Sequence, residues 1–239
     1  MRGGLYGPPF AFEHAMAIPL REHDRFGADV LSAATVGNAL IDRVYAKLTP
    51  VYDVLFGPIL QPGRIKAIAR MDLRRGDRVL EVGAGTAINA PLYPRNCEVT
   101  AIDLSAPMLE KARERIARHG LRNVRLLEAD AAHLTFGNDS FDSVYAPYTI
   151  SVVPDPVRVA LEMKRVCRPG GRIVILNHFR SENLFLSRIE RAISPFTVHV
   201  GFKADLEMSA LLDQAGLRAI SIEKVNVPEI WSLITCVKD

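Results

Sequence analysis

Cysteine is scarce. Three residues, Cys97, Cys167 and Cys236, lie far apart in a chain of 239 and make no CxxC pair. Three thiols cannot all pair, and none has the spacing of a zinc ligand, so the chain offers neither a disulfide framework nor a zinc site. A reducing cytoplasm is the expected setting. Long apolar runs are lacking too, and no window reaches the roughly 18 apolar residues that a membrane-spanning helix needs. The early apolar patch "PPFAFEHAMAIPL" is interrupted by Glu13 and His14 and preceded by Arg2 alone, which makes a poor secretory signal. An excess of one charge is also missing, because 30 Lys and Arg against 27 Asp and Glu leave a formal charge of +3. That is too mild to imply nucleic acid by itself, though it suits an anionic surface or a phosphate-bearing substrate. There are no internal repeats and no low-complexity linker. No carboxylate pair or His/Asp cluster argues for a catalytic metal.

What the chain does have is apolar mass. Hydrophobic residues make up 49% of it, enough for a sizeable core, and the length fits one domain with an appendage. Residues 1–27 read as a loosely ordered extension. From Asp29 to Lys47, "DVLSAATVGNALIDRVYAK" places Val30, Leu31, Ala34, Leu40, Ile41 and Val44 at helical spacing, with Asp29 as N-cap. The aromatic stretch "YAKLTPVYDVLFGPILQPGR" follows, broken by Pro50, Pro58 and Pro62 into short helical pieces, the last expected from Pro62 to Met71. Residues 28–76 are therefore an amphipathic helix and a lid, and 77–239 the core.

Beyond "LRRGD" short β-branched runs alternate with helical patterns, which signals βαβ units and a parallel sheet, hence an α/β fold. The expected strands are "RVLEV", "EVTAI", "NVRLLEA", "FDSVYA", "GRIVILN", "RAISIEKV" and "WSLITCV". Helices are expected from Ser105 to Arg118, from Asp155 to Val166, and over "DLEMSALLDQAG".

The strongest chemical signal is "VLEVGAGTA", a buried strand that ends in Gly83 and Gly85 ahead of an expected helix. Glycines there permit a tight turn and let a ligand approach the backbone. A dinucleotide fingerprint needs a third glycine where Ile88 stands, and a branched side chain obstructs that packing, so the NAD reading loses ground. Asp103 closes the next strand about twenty residues on, where a carboxylate accepts hydrogen bonds from ribose hydroxyls. Asp130 closes the third strand, with Ala131 beside it, and either binds a ligand or caps the turn that follows. Glu81 likewise has a plain reading as a strand cap.

Together with "FDSVYAPYTISVVPDP" and "RVCRPGGRIVILNHF", these motifs resemble the class I S-adenosylmethionine-dependent methyltransferases from Val79 to the C-terminus. The resemblance implies a Rossmann-like core with a seven-stranded, mostly parallel sheet, S-adenosylmethionine as cofactor, and S-adenosylhomocysteine as product. It implies that Gly83, Gly85 and Thr86 pass under the methionine part, Asp103 holds the ribose, and Asp130 reads the adenine amino group. Glu81, Leu104, Met108, Ala131, Tyr145 and Tyr52 complete the implied cofactor set. Ala87 departs from the fuller glycine pattern of the family.

"YDVLFGPILQPGR", "YAPYTISVVPDP" and "RPGGRIVILNHF" look like the bacterial phosphatidylethanolamine N-methyltransferases of the Rhodobacter type. They are less like the quinone C-methyltransferases, which share the pair Tyr52 and Asp53. This implies a peripheral enzyme on the inner face of the cytoplasmic membrane that converts phosphatidylethanolamine stepwise to phosphatidylcholine. The lid then points Tyr45 and Tyr52 at the methyl group. Between Arg172 and Lys203 five basic residues face two acids, and Arg180 and Lys203 are expected on the lipid phosphate. Arg188 and Arg191 fit a solvated helix face equally well, opposite Phe185, Leu186, Ile189 and Ile193. The amine must lose a proton before it attacks, and Tyr45, Tyr148 and His178 are the expected catalytic residues, His178 having the better-matched pKa. A quinone or other small-molecule methyltransferase and a non-catalytic, membrane-associated cofactor-binding module are the alternatives.

Overall fold

The computed structural model describes residues 58–179, 207–227 and 230–239. The expected extension, the Asp29–Lys47 helix, Tyr45 and Tyr52 of the lid, and Arg180, Arg188, Arg191 and Lys203 of the basic segment lie outside the described residues, while Arg172 of that segment lies within them.

Seven strands form one sheet: β1 (Arg78–Val82), β2 (Glu98–Asp103), β3 (Val124–Glu128), β4 (Phe141–Pro147), β5 (Cys167–His178), β6 (Ala219–Val225) and β7 (Trp231–Val237). Their order is β3-β2-β1-β4-β5-β7-β6. β1 to β5 run parallel, while β7 is antiparallel to both β5 and β6. The texture of each strand matches its place. β1 is buried on both faces and reads as a continuous apolar run interrupted only by Glu81, whereas the edge strand β6 alternates, with Ile220 and Ile222 outward.

Helices cover both faces. On one, α1 (residues 58–70) packs Ala67 and Ile68, with Met71 just beyond its end, against Val79, Val99, Tyr145, Val174 and Leu176. Farther along, α2 (Ala106–Arg118) sets Ala112 against Ala87, Ala90 and Leu121. On the other face α3 (Pro156–Val166) and α4 (Met208–Ala215) bury Val159, Met163, Leu211 and Ala215 over Leu80, Val82, Ile102, Val144 and Ile173. Asp155 caps α3 by accepting from the Arg158 N–H at 2.9 Å, and Gly216, at φ 59°, ends α4 in the left-handed region.

Three expectations change. α1 begins at residue 58 rather than at Pro62, because Pro58 fits a first helical turn. No helix follows the glycine loop: residues 85–89 are turns and only a 3₁₀ turn, Ala90–Leu92, succeeds them. Ala87 at φ 55° and the closely spaced Pro91 and Pro94 prevent a regular helix there. β5 starts at Cys167, ahead of the expected start at Gly171, and its ladder to β4 shifts register between Phe141 and Ser143. Gly170, at φ 72°, absorbs that irregularity.

β2 lies on one side of β1 and β4 on the other, so the loops after β1 and β4 diverge and open a crevice at the carboxyl ends of the strands.

Candidate cofactor-binding site

The loop after β1 is shaped from beneath. Gly83 takes φ 77°, and a Cβ there meets the Thr149 Oγ1 at 2.1 Å, so only glycine fits. The Thr149 hydroxyl sits 2.9 Å from the Val82 carbonyl and 3.0 Å from that of Pro147, which ties the ends of β1 and β4 together. Gly85 takes φ 54° and has nothing within 4 Å of a Cβ position, so its backbone borders open space. Its N–H donates to Asp103 Oδ2 at 2.7 Å, and the Ser105 N–H donates to Oδ1 at 2.9 Å. Asp103 is thus fixed behind the loop by two backbone donors, and carboxylate oxygens each accept more than one hydrogen bond. Arg115, reaching from α2, donates to the Thr86 carbonyl at 2.7 Å and to Thr86 Oγ1 at 2.6 Å, bracing the outer half of the loop.

Glu81 lies under the loop, only 1% exposed, and accepts from Asn89 Nδ2 at 2.6 Å and from the Tyr93 hydroxyl at 2.7 Å. Burial pushes its carboxyl up to about 7, against the opposing pull of those two donors and of Arg64. It is not a strand cap: it is the hub that ties the post-glycine turns to the sheet. Its register partner Tyr145 is fully buried, and burial together with the charge of Glu81 raises that phenol well above its usual range.

Toward β3, Leu104 is 49% exposed directly after Asp103, an apolar surface at the crevice rim, with the partly buried Met108 one turn into α2. Asp130 is exposed, accepting from the Ala132 N–H and from His133 Nδ1, both at 2.9 Å, so in this structure it does cap the turn that follows β3, beside the partly buried Ala131. Tyr148 takes φ 56° just past β4. Its hydroxyl donates to the Leu60 carbonyl at 3.0 Å and accepts from Asn226 Nδ2 at 3.0 Å, which ties α1 to the β6–β7 turn. His178 ends β5, partly buried, opposite Trp231 of β7.

The structure thus gathers Glu81, Gly83, Gly85, Thr86, Asp103, Leu104, Met108, Tyr145, Tyr148 and His178 onto the carboxyl ends of β1, β2, β4 and β5, with Asp130 and Ala131 after β3. Sequence reasoning passed over Arg64, Asn89, Tyr93, Arg115 and Thr149. Arg64 carried a signal, since it stands on the stripe Leu60, Arg64, Ala67, Ile68 and Met71 that α1 buries, where a cation is out of place. The others act through loop contacts that leave no periodic trace. Among the described residues no group of His, Cys, Asp and Glu is arranged to hold a metal. Open space beside Gly85, an acid fixed behind it and an apolar rim at Leu104 fit a nucleoside that carries an amino-acid tail.

Residues 80–175 match the methyltransferase domain family. The chain is 39% identical over 181 residues to the phosphatidylethanolamine N-methyltransferase of Cereibacter sphaeroides, which covers 75% of this chain and 88% of that one. It is 33% identical over 145 residues to the demethylmenaquinone methyltransferase of Geobacillus kaustophilus, covering 57% of this chain and 62% of that one. The crystal structure of a methyltransferase dependent on S-adenosylmethionine from Aquifex aeolicus superposes with a TM-score of 0.61 at 19% identity, over 81% of this chain and 97% of that one, a likeness of fold alone. With a glycine loop, a backbone-fixed acid and the strand order in place, this chain belongs to the S-adenosylmethionine-dependent methyltransferases and uses S-adenosylmethionine as its cofactor.

Proposed function

We propose that the protein methylates the amine of phosphatidylethanolamine, stepwise through the mono- and dimethyl forms to phosphatidylcholine, as a peripheral protein on the inner face of the cytoplasmic membrane. The observation that carries this reading is the 39% identity to a phosphatidylethanolamine N-methyltransferase across three-quarters of the chain. The demethylmenaquinone relatives match a shorter stretch, and they favour a quinone as the second reading.

S-adenosylmethionine, when bound, supplies a methyl group already activated on a positively charged sulfur, so the chain has chiefly to position and shield. Gly83, Gly85 and Thr86 give the methionine part its backbone floor. Asp103 would take the ribose hydroxyls, Leu104 and Met108 would flank the base, and Asp130 with Ala131 would meet its amino edge. Glu81 and Tyr145 hold the floor from below, and Tyr52 would complete the cofactor set. Tyr45 orients the amine and offers its ring face to the growing methylammonium charge. His178 accepts the proton that the ethanolamine ammonium must shed, directly or through water. Tyr148, with its hydroxyl engaged by Leu60 and Asn226, contributes to the wall of the site. Arg180 and Lys203 take the lipid phosphate.

The test supplies methyl-labelled S-adenosylmethionine to the full chain with phosphatidylethanolamine vesicles, with and without anionic lipid, and in parallel with a demethylmenaquinone. Label in mono-, di- and trimethylated headgroups is the expected result. Label in the quinone alone selects the second reading, and label in neither, with cofactor bound, points to a non-catalytic role.

A further inference from the structure

Among the described residues, Arg64 is a buried cation whose hydrogen-bonding capacity is only partly used. Arg64 is 8% exposed, and neither Nε nor Nη1 makes a hydrogen bond. A buried guanidinium with unsatisfied donors is expensive to hold, and proteins tend to pair or replace such a group. Its surroundings explain why those donors stay unsatisfied. Glu81 is near enough to feel its charge, but the carboxylate oxygens of Glu81 are engaged by Asn89 and Tyr93. The ring of Tyr148 lies 5.0 Å from the guanidinium carbon, a stacking distance that holds the fork without consuming an N–H. Tyr145, paired in register with Glu81 and close enough for Arg64 to influence its phenol, carries a second buried polar atom, a hydroxyl that has no partner either. α1 itself is pinned, with the Gly63 N–H donating to Asn226 Oδ1 at 2.7 Å and the Tyr148 hydroxyl donating to the Leu60 carbonyl, so Arg64 is held in place from both sides.

The geometry points to a built oxyanion subsite at Arg64, with the Tyr145 hydroxyl as a second donor, that takes the carboxylate or phosphate group of one of the two reactants. A guanidinium offers a planar pair of N–H groups matched to two oxygens of one carboxylate or phosphate, and the bond it makes is charge-assisted. The subsite lies where such a group arrives: Glu81 and Tyr145 are register partners next to the carboxyl ends of β1 and β4, and Glu81 is two residues before Gly83. Two sources share this chemistry, the amino-acid carboxylate of the cofactor and the phosphodiester of a phospholipid headgroup. The second rests on the phosphatidylethanolamine reading, the first on the cofactor alone.

The experiment is calorimetric titration of the full chain and its Arg64→Met, Arg64→Lys and Tyr145→Phe variants with three soluble probes. These are S-adenosylhomocysteine, 5′-methylthioadenosine, which keeps the nucleoside and lacks the carboxylate, and glycerophosphoethanolamine. If the carboxylate is the occupant, Arg64→Met weakens S-adenosylhomocysteine about tenfold to a hundredfold, the span of one lost charge-assisted bond, and leaves methylthioadenosine unchanged. Arg64→Lys recovers part of the loss, and Tyr145→Phe shows a smaller loss of the same kind. If the phosphodiester is the occupant, both nucleosides bind all variants alike and glycerophosphoethanolamine alone weakens. Because the guanidinium is unsatisfied without a ligand, ligand-free Arg64→Met should melt at or above the parent temperature. Unchanged binding of all three probes overturns the assignment, and so does a ligand-free Arg64→Met that melts well below the parent, since that marks a structural role. The two nucleoside titrations and the melting comparison do not depend on which acceptor is methylated, whereas the glycerophosphoethanolamine titration does.

Discussion

Asp103 and Glu81 are two acids on neighbouring strands with opposite fates. Asp103 is held by the N–H groups of Gly85 and Ser105, partly buried at the end of β2. Asp103→Ala should weaken S-adenosylhomocysteine about tenfold or more by titration, the cost of losing hydrogen bonds to a charged acceptor, and an unaltered dissociation constant removes it from the ribose role. Glu81 is buried, with its carboxyl raised to about 7 by desolvation. An acid raised on folding favours the folded state most below its unfolded pKa of about 4.3, and that contribution is lost as the pH climbs through the folded value. Stability should therefore fall by about 1.4 kcal/mol per pH unit over that window and level off above it. Glu81→Gln, which never ionises, should gain on the parent in melting temperature from pH 4.5 to 7 and hold a constant lead beyond. A difference that does not vary with pH overturns the burial argument. Gly83 and Asp103 were legible in the sequence because a glycine at a strand end and an acid about twenty residues on leave a spacing. Glu81 looked like a strand cap because sequence spacing does not show which polar groups a fold delivers to a buried oxygen, here Asn89 and Tyr93.

At the scale of elements, α1 is the informative case. It carries no strand pairing, and polar anchors fix it to the far end of the chain. Arg70 donates to Glu223 through Nε at 2.6 Å and Nη2 at 2.9 Å, Lys66 adds a contact at 2.9 Å, and Gly63 meets Asn226. The hydrogen bonds of Arg70, then Lys66, hold the Glu223 carboxyl down at about 2. A lowered acid stabilises the fold above its unfolded pKa, and the contribution is lost as the pH falls toward the folded value. Glu223→Gln should accordingly lower the melting temperature at pH 7, and the gap should close between about pH 4 and pH 2; a gap of the same size at pH 2 removes Glu223 from the clamp. The strands were readable because β-branched runs bounded by turns have a fixed period. The helix expected behind the glycine loop was a generalisation from other nucleotide folds that Pro91, Pro94 and the positive φ of Ala87 defeat. The same prolines that made "FGPILQPGR" look like broken pieces let Pro58 open a single helix.

Across the whole molecule, alternation of strand and helix predicted the layers, and the crevice followed from strand order, since sequence-adjacent β1, β2 and β3 run one way from the centre while β4 and β5 run the other. The antiparallel insertion of β7 between β5 and β6 was not written in any local pattern, because a strand buried on both faces reads alike in either direction. That insertion has a bearing on how the molecule is made. The Gly63–Asn226 bond joins residues 163 apart, and Glu223 and Asn226 flank the turn into β7. On a ribosome α1 emerges early and can meet Tyr148 once β4 is made, yet its anchors at Glu223 and Asn226 come only with the closing hairpin, so the glycine loop is complete well before the last ties on the helix that carries Arg64.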